Sequence, residues 1–118
     1  MHNFEKLKIW QKAIEIAVRV YEATAPLPAE ERYNLTNQIK RCAISIPSNI
    51  AEGAGRNHEK EFIQFLAIAN GSTYELMTQL ILAQKLKLLD EATVQPLIEQ
   101  LIEVSNMNLA FQKTLKVK

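Results

Sequence analysis

Glycine and proline are scarce in this chain, three and four residues among 118. Their scarcity leaves little material for turns and excludes a fold of many short strands. Cysteine is scarcer still. Cys42 stands alone, so neither a disulfide framework nor a cysteine metal cluster can be built. Its apolar neighbours Ala43 and Ile46 mark it as a small buried hydrophobe. There are two histidines: His2 is terminal, and His58 has Glu59 and Glu61 nearby. The paired histidines of a zinc helix and the Glu-x-x-His pairs of a di-iron bundle are absent, so no metal site is expected. An excess of charge of one sign is also missing. A net charge of +1 argues against a dedicated nucleic-acid binder and leaves room only for binding through a local patch. No run approaches the ~20 apolar residues of a membrane span. The opening Met1-His2-Asn3-Phe4-Glu5-Lys6 has no apolar signal core, so cytoplasm is the expected location.

What the chain does contain is helical periodicity. One domain over residues 1–118 is expected from the length. A first helix is predicted from about Glu5 to Thr24. Leu7, Trp10, Ile14, Ala17 and Tyr21 form one apolar line, and Ile9, Ala13, Ile16 and Val20 form a second beside it. So broad a face suits a helix with two neighbours, within a bundle or at a subunit contact. Ala25-Pro26-Leu27-Pro28 ends it. A second helix is predicted from about Ala29 to Ala54, with Glu30 and Glu31 near its N-terminus and an apolar line of Leu35, Ile39, Cys42, Ala43, Ile46 and Ile50. Pro47 lies inside that line. The spacing continues through it, which predicts one helix kinked at Pro47, stopped by Gly53 and Gly55.

The third helix is expected from about His58 to Lys87. Phe62, Leu66, Ala69, Thr73, Leu76, Leu80 and Ala83 are spaced four and three apart without a break. Gly71 sits in its middle, either beneath a closely approaching helix or as a tolerated exposed glycine. A fourth helix starts between Asp90 and Thr93 and carries Val94, Leu97, Leu101, Val104, Asn108, Phe111 and Leu115. Short connections make successive helices antiparallel neighbours, which predicts an all-α, up-down-up-down four-helix bundle.

No catalytic constellation is found. Gly53-Ala54-Gly55 follows a helix and lacks the lysine of a phosphate loop. Ser45, Ser48 and Ser72 have no evident histidine base. The sequence points to no cofactor and no small-molecule substrate. The more informative feature is a polar stripe on the second helix: Gln38, Arg41, Ser45, Ser48 with Asn49, and Glu52. Solvated faces usually use lysine and glutamate, because serine and asparagine are poorer helix formers. The stripe therefore reads as a hydrogen-bonded seam between helices, with Arg41 expected to pair with Glu75 of the third helix.

The run from Gln38 to Gly53, QIKRCAISIPSNIAEG, resembles the signature of the four-helix-bundle proteins encoded in intervening sequences of bacterial 23S ribosomal RNA genes. Phe4-Glu5-Lys6-Leu7 with Trp10, the segment Pro28 to Leu35, and Phe62 to Leu66 with Ala69, Gly71, Ser72, Glu75 and Leu76 match as well. One departure is His58, where the family commonly has a serine that would form a capping box with Glu61; Asn57 is the alternative cap. The resemblance implies a non-enzymatic bundle that assembles into a closed homo-oligomeric ring, a pentamer. It also implies kinship with the accessory variability proteins of diversity-generating retroelements, which engage nucleic acid. On that reading the partner is RNA or an RNA-associated protein, and Lys6, Lys8, Lys12, Lys40, Lys113, Lys116 and Lys118 are the candidate phosphate contacts. The alternatives are a protein-interaction module without a nucleic-acid role, and an enzyme whose site forms between subunits around the polar stripe.

Overall fold

The computed structural model describes residues 2–31 and 34–115. Four helices follow one another: α1 (Lys8–Thr24), α2 (Leu35–Ala54), α3 (Glu59–Lys85) and α4 (Glu91–Thr114), with short 3-10 turns at Phe4–Lys6 and Ala29–Glu31. They pack side by side in a rod of 48 × 23 × 20 Å. Each helix touches the next, and α4 closes against α1. Among the described residues no Cα of α1 comes within 8 Å of α3, nor any of α2 within 8 Å of α4. The bundle is therefore a square in cross-section, with four sides. None of its helices is long and apolar enough to cross a membrane.

The core is the set of lines read from the periodicity. Ile9, Ala13, Ile16 and Val20 of α1 meet Ile39, Ile46 and Ile50 of α2, Phe62, Leu66, Leu76 and Leu80 of α3, and Val94, Leu101 and Val104 of α4, all buried. Of the two apolar lines on α1, this one faces inward. Ile14 and Tyr21 of the other are exposed.

Several boundaries differ from expectation. The second helix starts at Leu35, six residues later than the expected Ala29. The backbone of Asn34 (φ −110°, ψ −109°) lies outside the helical basin, and Glu30 and Glu31 belong to the separate 3-10 turn. Leu35 is also the first residue of the apolar line. Pro47 is accommodated within an uninterrupted α2. His58, not Asn57, holds the N-cap position of α3, with an extended backbone and no side-chain cap bond. On α4, Asp90 is the cap. Its carboxylate accepts from the Thr93 amide at 2.9 Å, which places Pro96 inside the helix.

Two close details fix how the helices meet. A Cβ on Gly53 would lie 2.7 Å from Phe65 Cβ and 2.8 Å from Phe62 Cδ1, so α2 crosses the start of α3 at a distance only glycine allows. Gly71 has open space around it and is the exposed glycine of the two alternatives. At the other end of α3, the Leu88 amide bonds the Ala83 carbonyl and the Lys87 amide bonds that of Gln84. This is a Schellman stop with Lys87 at φ 63°, a position glycine usually fills.

Candidate functional site: a polar cleft between α2 and α3

The polar stripe of α2 lies along α3. Ser45 and Ser72 share a hydrogen bond between hydroxyls at 2.8 Å. One helical turn away, the Cys42 thiol donates to Glu75 Oε1 at 2.8 Å. Asn49 Nδ2 donates back to the Ser45 carbonyl (2.8 Å) and hydroxyl (2.9 Å), holding that serine toward α3. Between the helices lies an open cleft of about 390 Å3 lined by Gln38, Arg41, Cys42, Ser45, Ser72, Glu75 and Gln79. Residues 72, 75 and 79 are three and four apart, so α3 answers the α2 stripe with a stripe of its own.

The expected pair of Arg41 with Glu75 does not form. Among the described residues neither has an ion-pair partner within 4.0 Å; both side chains are exposed, and the Glu75 carboxylate is turned onto the Cys42 thiol instead. The two charges line one cleft without neutralising each other. Glu52 leaves the seam as well: it is exposed and bonds Arg56 one turn along its own helix at 2.9 Å. Gln38 lines the cleft from its exposed edge.

Burial is the first cause that pushes the Cys42 thiol up, to about 12, and the bond to Glu75 and that residue's charge act in the same direction. A contact with Gln79 acts the other way. The thiol therefore stays protonated and serves as a donor that positions the carboxylate, not as a nucleophile. Gln79 is only 9% exposed, and its Oε1 has no hydrogen-bond partner. Buried amide oxygens are rarely left so. No group of three or more histidine, cysteine or acidic side chains among the described residues is arranged to hold a metal ion.

The sequence reading missed Cys42 and Gln79 as parts of this site, and it missed a second polar seam between α3 and α4. There the buried Asn108 donates to the Leu66 carbonyl at 2.8 Å, and Ser105 donates to Asn70 Oδ1 at 2.8 Å. Asn108 is the polar interruption in the apolar line of the fourth helix, and that was its signal.

The lysines are scattered. Lys12 is paired with Glu103 at 3.3 Å across α1 and α4. Lys40 lies 5.0 Å over the Tyr21 ring. Lys6 and Lys8 flank an apolar notch with Leu7, Ile9, Met107 and Phe111, at the end of the bundle where α1 begins. Lys113, in the last turn of α4, is exposed at that same end. Lys116 and Lys118 lie outside the described residues.

Two opposite sides of the square carry exposed apolar groups. The α1/α2 side has Ile14, Tyr21 and Ile44 (48% exposed), with Val18 (54%) at its outer edge on α1; Lys40 over Tyr21 places that tyrosine beside α2. The α3/α4 side has Tyr74 (56%), Ile81, Ile102 (48%) and Leu109, flanking the Asn70–Ser105 bond by one or more helical turns.

The fold and the matched sequence both have relatives. A solved structure from Bacteroides thetaiotaomicron, a protein of unknown function from the S23 ribosomal protein family, superposes with a TM-score of 0.80 at 22% identity. The alignment covers 89% of this chain and 98% of that one, and at such identity it speaks for the fold alone. No curated protein matches the sequence. The model of the 23S rRNA-intervening sequence protein family matches residues 5–110, and the chain belongs to that family.

Proposed function

We propose that the protein is a non-enzymatic building block of a closed homo-oligomer, a scaffold that engages RNA or an RNA-associated protein. The observation that carries the assembly is the pair of exposed apolar sides on opposite faces of the bundle. Two different, opposed patches cannot satisfy each other across a two-fold axis. They fit a head-to-tail contact, in which the α1/α2 side of one copy meets the α3/α4 side of the next; such contacts form a ring where the rotation between copies closes and a filament where it does not, and the ring is what the family resemblance implies. A pentamer is the count that the family resemblance implies.

Light scattering on the purified chain tests this. Val18→Glu spoils one side and Tyr74→Glu the other, so each variant alone is expected to be monomeric. Mixed in equal amounts they are expected to form a dimer, because each retains the side that the other lost. A monomeric parent protein refutes the assembly, and a variant that dimerises alone refutes its head-to-tail geometry.

For a nucleic-acid role, Lys6, Lys8 and Lys113 are the groups that a ring would repeat around one rim. Binding of structured ribosomal RNA that weakens steeply with salt, and more gently after Lys6→Ala and Lys8→Ala, is the expected result. A second reading, a protein-interaction module with no nucleic-acid role, is favoured by the net charge of +1 and by the engagement of Lys12 and Lys40 within the bundle. Absence of RNA binding at low salt by a confirmed oligomer decides for it.

A further inference from the structure

We propose that the cleft between α2 and α3 is a binding site for a small zwitterion of the free amino-acid type, its carboxylate on Arg41 and its ammonium on Glu75. The cleft, at about 390 Å3, falls at the small end of the roughly 300–1,000 Å3 range of ligand sites. It presents one guanidinium and one carboxylate that are not paired with each other. The Cys42 thiol holds the Glu75 carboxylate by a 2.8 Å bond, which keeps it from closing on Arg41.

The chemistry of the occupant follows by exclusion. A simple anion such as phosphate gains Arg41 but meets the charge of Glu75. A polyamine gains Glu75 but meets Arg41. A small molecule that carries both charges can engage both, and the planar guanidinium suits a carboxylate in two-point contact. The Ser45 and Ser72 hydroxyls lie between the helices one turn away and offer both donor and acceptor. Gln79, nine-tenths buried, borders the cleft, and its amide oxygen lacks a donor. The cleft lies on neither of the two apolar sides, so the head-to-tail assembly proposed above would leave it open.

Thermal shift with each of the twenty free amino acids at millimolar concentration, followed by calorimetry on those that act, tests the proposal. A ligand that binds only the folded chain raises Tm with concentration. At least one amino acid is expected to do so. Its methyl ester, which lacks the anion, and its N-acetyl derivative, which lacks the cation, are expected to fail. Arg41→Gln and Glu75→Gln, both at exposed positions and each checked for native helicity, are expected to weaken binding at least ~10-fold. No shift with any amino acid overturns the proposal. So does equal binding of the ester and the N-acetyl derivative, or binding unchanged in both variants.

Discussion

Replacing Gly53 with alanine puts a Cβ 2.7 Å from Phe65 Cβ and 3.3 Å from the Phe62 carbonyl oxygen. Neither atom is the free end of a flexible side chain, so the backbones of α2 and α3 must separate by several tenths of an ångström. Phe62, buried to 1% exposure at this crossing, loses part of its packing as they do. Forced overpacking costs about 1–3 kcal/mol, while the exchange of glycine for alanine returns up to ~1 kcal/mol through helix propensity and a less flexible unfolded chain. The net expectation is a loss of ~1–2 kcal/mol. Gly71→Ala is the internal control. The same chemistry occurs in open space, so only the favourable part remains, a gain of ~0.5–1 kcal/mol. Urea denaturation at one fixed protein concentration, followed by far-ultraviolet circular dichroism, reads both. The midpoints are expected to move in opposite directions with the slope unchanged. If Gly53→Ala is neutral or stabilising while Gly71→Ala gains, the close crossing of α2 and α3 is not a constraint of the fold and the reasoning fails.

His58→Ser restores a side-chain cap to α3 with Glu61 in place to complete the box, and is expected to raise stability by ~1 kcal/mol, seen as a Tm rise of a few degrees. Cys42, with its thiol pushed up to about 12, is expected to resist alkylation at neutral pH until the chain is unfolded. Glu75→Gln removes two of the raising causes but not burial, so the folded-state rate should increase without reaching the unfolded one; an unchanged rate contradicts the bond. The same thiol makes a stability contribution that is full below its ordinary value of 9.0 and is lost as the pH rises from there toward 12, which a denaturation series in alkaline buffers detects and Cys42→Ala removes. Asp90 has the opposite sign. Its cap bonds to Thr93 hold the carboxyl below its ordinary value of 3.8, so its contribution is present above that pH and fades as the pH falls through the lowered value. Asp90→Asn, which keeps a capping side chain, is expected to flatten that part of the acid limb, whereas Asp90→Ala lowers stability at neutral pH as well.

The inward-facing residues were legible in the sequence because burial imposes a period. Phe62, Leu66, Ala69, Thr73, Leu76, Leu80 and Ala83 were read as one line and are all buried. Boundaries were legible where chemistry marks them, at Pro26 and at Asp90. They were misread between Ala29 and Asn34, where Glu30 and Glu31 after Pro28 look like a helix start and belong instead to a separate 3-10 turn. On α1 two adjacent lines had the same period, and only the packed neighbours decide that Ile16 goes in while Ile14 stays out. The polar stripe was legible as an anomaly of composition. Its partners were not, because a pairing such as Ser45 with Ser72 depends on the register of two antiparallel helices, which turns and crossing distance set together. Charge complementarity alone favoured Arg41 with Glu75. It ignored that an exposed arginine gains little from a solvated pair, whereas a thiol buried beside a carboxylate has few other acceptors.

The four sides of the bundle divide the work in a way that makes the two proposals separable. The α1/α4 side is tied by Lys12 and Glu103, and the α2/α3 side is the polar cleft. The other two sides, opposed to each other, carry the exposed apolar groups named above, and Ile68 of α3, one turn before Ser72, is exposed as well. The proposed head-to-tail contact would use the apolar pair and leave the cleft of every copy uncovered. Val18→Glu and Tyr74→Glu should then change mass without changing the affinity of the cleft, while Arg41→Gln and Glu75→Gln should change affinity without changing mass. If an Arg41 or Glu75 substitution instead breaks the oligomer, the cleft is itself covered by a neighbouring copy, and its charges serve a subunit contact and not a free ligand.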